Sequence, residues 1–155
     1  MNKYAKLITL LLLASAQAWA EEPSPIGQWR VENGKAHVRI LRCGEALWGV
    51  LSWLEAPGTD ENNPDPAQRN RPMLGLPILR GMTPNAAGSE WAGKIYNADN
   101  GKIYTGSIAL NASDELRIKG CILDGWVCGG ENWVRLPATP APKDDRALCR
   151  SIAAH

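Results

Sequence analysis

The sequence predicts an all-β protein: about eight antiparallel strands in sequential hairpins, closed into an up-and-down barrel. Three observations carry this. Short runs alternate apolar and polar side chains, Gly, Asn, Asp and Pro interrupt them at brief intervals, and no later stretch has a convincing helical period. Closing such a sheet removes exposed strand edges, which favours a barrel. A two-sheet sandwich is the rival architecture for the same pattern.

Residues 1–20 come first and are not part of that pattern. Lys3 and Lys6 precede an apolar block from Leu7 to Ala16, and Ala18-Trp19-Ala20 closes the segment. This is the order of a secretory signal peptide, with cleavage expected after Ala20. The apolar block is far shorter than the ~20 residues a membrane span needs. The expected product is a periplasmic or secreted protein with no transmembrane segment. Its residues 21–136 form one barrel domain, and residues 137–155 form a mostly irregular tail in which Asp144–Ser151 could hold a turn of helix.

The strands follow in order. IGQWRV and KAHVRILR flank the ENG turn; in the second run Ala36, Val38 and Ile40 alternate with Lys35, His37 and Arg39, giving one apolar face and one wet face. ALWGVLSW comes next, then a long segment rich in Asn, Pro and Arg, then LPILRGM and WAGKIYN. The NADNG turn suits a hairpin, with Gly101 free to take positive φ. KIYTGSIAL and ELRIKGCIL share one apolar face if residues 111–115 form a five-residue loop. Leu110 then lies opposite Leu116, Ile108 opposite Ile118 and Tyr104 opposite Ile122. WVCGGENWVRL closes the set, and Cys128-Gly129-Gly130 suggests a bulge.

Four cysteines in an exported chain favour two disulfides, and three pairings are possible. A two-residue turn at Asp124-Gly125 would place Cys121 opposite Cys128 in a hydrogen-bonded pair, with Cα atoms ~5.5 Å apart. Cys43 with Cys149 then remains, a bond that would tether the tail. Zinc has little support, because the mature chain holds only His37 and His155, neither with ligand spacing. No metal or other cofactor is expected. Loss of Lys3 and Lys6 leaves 15 basic against 16 acidic residues, a net charge of −1 that gives no electrostatic footprint for nucleic acid.

Certain motifs then acquire meaning together. An opening G-x-W (Gly27, Trp29), the loop Asp60-Glu61-Asn62-Asn63-Pro64-Asp65 with Arg71-Pro72, W-x-G-x-I-Y, Asn100-Gly101-Lys102 with Tyr104, and a closing W-x-R occur in order from Ile26 to Leu136. In this the chain resembles an exported bacterial family known as domain of unknown function family 2147. The resemblance implies a small calycin-type barrel, related in shape to lipocalins and fatty-acid-binding proteins, and implies no activity.

Candidate sites lie in the loop and among the tryptophans. Asn, Asp and Pro make the Thr59–Pro72 segment an ordered loop rather than a flexible linker. Asp60, Asn63 and Asp65 can satisfy backbone amides while Arg71 pairs with one acid. Alternatively the loop lids a barrel mouth and offers Asp65, Arg69 and Arg71 to a polar ligand. Calcium on Asp60, Asn62 and Asp65 would lack the spacing and the bidentate Glu of an EF-hand. The mature chain has six Trp and no Phe. Trp29, Trp48, Trp53 and Trp91 are expected to plug the barrel, while Trp126 and Trp133 could stack on a ligand. No Ser or Cys nucleophile has a plausible His–acid partnership. The sequence therefore points to a non-enzymatic barrel for a small apolar or amphipathic ligand. The alternatives are an envelope protein–protein adaptor or enzyme inhibitor with a filled barrel, or a hydrolase using Asp60 and Asp65.

Overall fold

The computed structural model describes residues 23–122, 127–138 and 145–153. The signal segment, the Asp124-Gly125 turn, Trp126 and His155 lie outside the described residues. Eight strands form a closed barrel: β1 (Gly27–Arg30), β2 (Ala36–Cys43), β3 (Ala46–Leu54), β4 (Pro77–Pro84), β5 (Glu90–Asn97), β6 (Lys102–Ala112), β7 (Glu115–Ile122) and β8 (Val127–Arg135). Each pairs antiparallel with its sequence neighbours, and β8 returns to β1. Closure excludes the sandwich. No helix among the described residues is long and apolar enough to cross a membrane.

The register follows the apolar alternation. Leu110 pairs with Leu116 and Ile108 with Ile118. The connection between these strands is tighter than five residues, because Ala112 still pairs with Glu115 through a register shift after Leu110. The expected bulge at Cys128-Gly129-Gly130 is absent: Cys121–Cys128, Gly120–Gly129 and Lys119–Gly130 pair in unbroken register. Glycine serves close approach there instead, since a Cβ on Gly130 would lie 2.2 Å from the Ile118 carbonyl oxygen.

A row of glycines decides how the barrel fills. Gly93, Gly106, Gly120 and Gly129 lie opposite one another across β5 to β8. A Cβ on Gly106 would fall 2.4 Å from Ile95 Cδ1, and one on Gly93 would fall 2.7 Å from Met82 Sδ. Ile95 takes the space at Gly106 and Met82 that at Gly93, Tyr104 borders Gly120, and the space at Gly129 is open. The buried core joins Trp29 to Val38, Ile40, Leu79, Met82, Ile108 and Leu116. Of the four tryptophans expected as a plug, Trp29 is fully buried and Trp91 packs partly against this core. Trp48 belongs to a separate cluster, and Trp53 is 44% exposed, its ring 4.5 Å from that of His37. Register explains this: Trp53 pairs with His37 on the outer face.

The seam between β1 and β8 has only two paired positions, Trp29–Arg135 and Arg30–Val134. Arg135 latches it. Its guanidinium lies 4.2 Å over the Trp29 ring and donates to the carbonyls of Ile26, Ser24 and Ser113. Gly27 takes φ +140°, which side-chain-bearing residues rarely adopt, and a Cβ there would also sit 2.9 Å from Arg135 Nη1. The opening G-x-W and closing W-x-R motifs are thus two halves of one contact.

Within the tail, expected to be mostly irregular, Asp145–Ile152 forms helix α1. Asp145 in its first turn and Arg150 in its last suit the helix dipole. Leu148 and Ile152 share one face and pack on Leu41 and Val50. Arg39, expected on a wet face, is buried and ion-paired with Asp145. The outer face of β2 is wet in its alternation but covered in three dimensions. Both inferred disulfides are present, Cys43–Cys149 with Cα atoms 5.5 Å apart and Cys121–Cys128 with Cα atoms 4.1 Å apart. The latter is the narrow, non-hydrogen-bonded spacing rather than the wide pair expected.

The Cys43–Cys149 bond spans 106 residues. Replacing both with Ser is expected to lower stability by about 3 kcal/mol while leaving the barrel folded. Urea unfolding followed by far-UV circular dichroism measures both effects.

Candidate functional site

The segment from Thr59 to Pro72 is an ordered loop closed at its neck. Thr59 and Pro72 form an isolated bridge, the Asp60 amide donates to the Arg71 carbonyl at 3.0 Å, and the Met73 amide donates to the Gly58 carbonyl at 3.0 Å. Below the neck, the Gly75 amide donates to the Leu51 carbonyl at 2.8 Å, which fastens the loop to β3. The β5–β6 turn docks against it, with Asn62 Nδ2 donating to the Asp99 carbonyl at 3.1 Å. Gly101, at φ +68°, makes this possible: a Cβ there would lie 1.9 Å from the Asn62 carbonyl oxygen.

Asp60 is the centre of the loop and is 0% exposed. Its Oδ1 accepts from the Tyr96 hydroxyl at 2.5 Å. Its Oδ2 accepts from Asn63 Nδ2 at 2.7 Å and from Arg71 Nη2 and Nε at 2.7 and 2.9 Å. Burial alone would raise this carboxyl's pKa. The hydrogen bonds from Tyr96, Asn63 and Arg71, with the charge of Arg71, outweigh burial and hold it below the ordinary carboxylate value. Burial, then the bond to Asp60 and its charge, push the Tyr96 phenol up. Asp60 therefore stays ionised and Tyr96 stays protonated across the neutral range.

The other predicted loop residues hold the backbone. Asn63 Oδ1 accepts from the Asp65 amide at 2.9 Å, and Asp65 Oδ1 accepts from the Ala67 amide at 2.9 Å, capping a 3₁₀ turn at Pro66–Gln68. Arg69 Nε donates to the Asn63 carbonyl at 2.8 Å. Asp60, Asn63 and Arg71 thus share one network, while Asp65 and Arg69 brace its edge. Trp133 lies apart, buried on β8. Trp126 lies outside the described residues. Among the described residues no group of three or more His, Cys, Asp or Glu is placed to hold a metal ion.

Sequence reasoning missed Arg80 and the partners that Tyr96 makes. Arg80 sits in an apolar run, and nothing in that run announces its position over the Tyr96 ring, 4.7 Å from the centroid. Tyr96 ends the W-x-G-x-I-Y motif, so its place was marked but its role was not. Alternation alone does not distinguish a plugged barrel from a hollow one; the structure has a cavity of about 540 Å³ at the barrel end that carries residues 31–35, 55–76 and 98–101. Leu51, Leu54, Ile95, Ile118 and Trp133 wall it, Met73 reaches it from the foot of the loop, and Lys35, Glu55, Asp99 and Glu131 are its charged lining residues. The barrel is therefore packed towards one end and open at the other.

Asp60→Asn is expected to destabilise the fold by about 3 kcal/mol, because it leaves Arg71 without its buried counter-charge. A depressed folded-state pKa gives stabilisation that is complete above the ordinary carboxylate value of about 4 and lost as pH falls below it. Wild-type stability should therefore drop on acidification below about pH 4, and the Asn variant should lose that part of the slope. Urea midpoints measured from neutral pH to pH 3 test both statements. Gly101→Ala should separately loosen the loop at a cost of about 2 kcal/mol, read as faster amide exchange in residues 59–72.

Comparison with known proteins places this geometry. No match was found among curated proteins. Among solved structures the chain is similar to one described as "Protein HP1028 from the human pathogen Helicobacter pylori belongs to the lipocalin family". The two share 20% identity over 83% of this chain and 88% of that one, with a TM-score of 0.65, a likeness of fold. A family model described as "Uncharacterized protein conserved in bacteria (DUF2147)" matches residues 27–135, the whole barrel from the first glycine of G-x-W to the arginine of W-x-R, and the chain belongs to that family.

Proposed function

We propose that this protein is an exported barrel that binds a small amphipathic ligand in its mouth cavity and catalyses no reaction. The observation that carries the reading is the cavity itself. Its volume of about 540 Å³ falls in the range of small-molecule sites, and its apolar walls meet a charged rim. An apolar moiety would rest against Leu51, Ile118 and Trp133, with its polar end at the rim. In this reading Asp60, Asn63, Asp65, Arg69 and Arg71 keep the loop rigid so that Met73 is held at the cavity wall. Binding to a preformed site avoids the cost of ordering a mobile lid.

The signal-like leader and the two disulfides support export to an oxidising compartment, periplasmic or extracellular. The state of Asp60 supports the non-catalytic reading over a hydrolase. A carboxylate held ionised by four donor contacts has no proton to give near neutral pH, and its lone pairs are engaged.

Oxidised protein screened by thermal shift against fatty acids, muropeptides and sugars should show stabilisation by at least one amphipathic member. Ala98→Trp, which places an indole in the cavity, should abolish that shift without unfolding the barrel. If the whole panel leaves the melting temperature unmoved, the reading fails and an adaptor role takes its place.

A further inference from the structure

A second cavity, of about 250 Å³, lies beneath the loop, with Asp65, Gln68, Arg71, Arg80, Tyr96 and Ile103 among its lining residues. It stands on the other side of the barrel wall from the first. Leu79 pairs with Ile95 and Ile95 with Tyr104, on the face where Gly106 receives Ile95. Arg80 pairs with Lys94, and Tyr96 pairs with Ile103, so these side chains share the opposite, outer face. The loop folds down over that face and makes the outer wall of the cavity. Tyr96 alone lines both cavities.

The charges around this cavity are unequally satisfied. Arg71 spends Nε and Nη2 on Asp60. Arg80 donates Nε to the Pro77 carbonyl at 2.9 Å and holds its Cζ 4.7 Å from the Tyr96 ring centroid, yet no carboxylate among the described residues is within ion-pair distance of it. No buried side-chain nitrogen or oxygen among the described residues lacks a partner, so the unpaired Nη groups of Arg80 reach open space, and Arg80 is a lining residue of the cavity. Burial raises the cost of the Arg80 charge and Arg71 repels it, while Tyr96 and Asp60 act in the opposite sense. Two guanidiniums are held together over one ring, and of the two only Arg71 has an ion-paired carboxylate among the described residues.

The chemistry selects the kind of anion. The planar fork of an arginine matches a carboxylate in two parallel hydrogen bonds. Asp60 and Asp65 already bring negative charge to the same walls, which penalises a dianion more than a monoanion. Ile103 is 54% exposed, and with Pro64 it offers an apolar shelf beside the arginines. We propose that this cavity binds a small monocarboxylate carried on an apolar stem, the carboxylate on the Arg80 fork and the stem against Ile103 and Pro64. Tyr96 positions Arg80 by stacking, and the loop supplies the roof.

Backbone-amide NMR titrations of the oxidised protein with hexanoate, hexanol and inorganic phosphate test this. Hexanoate should shift amides around Asp65, Gln68 and Arg80 and leave Leu51 and Ile118 unmoved, whereas ligands of the mouth cavity should do the reverse. Hexanol and phosphate should bind at least roughly tenfold more weakly than hexanoate. Arg80→Met keeps an apolar stem over Tyr96 but removes the fork, and should weaken hexanoate by at least roughly tenfold, with Arg80→Lys in between. Wild-type hexanoate binding should also weaken as salt rises, a readout that needs no variant. Absence of hexanoate binding, shifts confined to the mouth cavity, equal binding of hexanol or phosphate, salt independence, or undiminished binding by folded Arg80→Met would each overturn the proposal.

Discussion

A carboxylate removed entirely from water must be surrounded by donors, and Asp60 imposes that demand on everything near it. Unpaired, its burial would cost several kcal/mol. Meeting the demand takes a hydroxyl from β5, an amide three residues along and a guanidinium eleven residues along. These contacts draw Asn63, Arg71 and Tyr96 to one point, and the loop has little freedom left once they are made. The neck at Thr59–Pro72, the docking of Gly101 under Asn62 and the position of Met73 at the cavity wall all depend on that convergence. The loop is irregular in outline and fixed in detail.

The interior shows a different logic, in which absent side chains matter as much as present ones. Glycine at four consecutive positions across β5 to β8 lets Ile95 and Met82 cross into the barrel. The packed end and the open end are therefore one design. Ile95, which leans into the gap at Gly106, also walls the mouth cavity, so the filled and the open parts of the interior meet at that side chain.

Much of this was legible in the residues, and the reasons are physical. Period-two alternation and short turns fix register wherever one face must be dry, which is why Leu110–Leu116, Ile108–Ile118 and Cys121–Cys128 could be paired on paper. Alternation reports only whether a face is polar, so it could not show that α1 would cover Arg39 and Leu41. Helix α1 itself is short, and its stability comes from packing on β2 and from Cys149 rather than from its own composition. The loop's order was readable from its Asn, Asp and Pro, and the Arg71–acid pairing was anticipated. The third partner was not, because Tyr96 lies 36 residues from Asp60 and meets it only where the loop folds back over β4 and β5. Arg80 escaped for the same reason: its significance is a neighbour, and neighbours across a sheet leave no trace in a single strand's pattern.

The bond between Cys43 and Cys149 also changes how the molecule would bear a load. A pull applied at the two ends of the chain runs along β1 and β2 to Cys43, crosses directly to Cys149 and leaves through the last residues of α1. The strands from β3 to β8, with the arginine cavity and most of the wall of the mouth, lie on the slack side of that shortcut. Tension can strip the first hairpin from the seam at Arg135 before it reaches them. The covalent tie thus makes the cavity-bearing part of the barrel a mechanically sheltered loop, and the short β1–β8 seam its weakest gate.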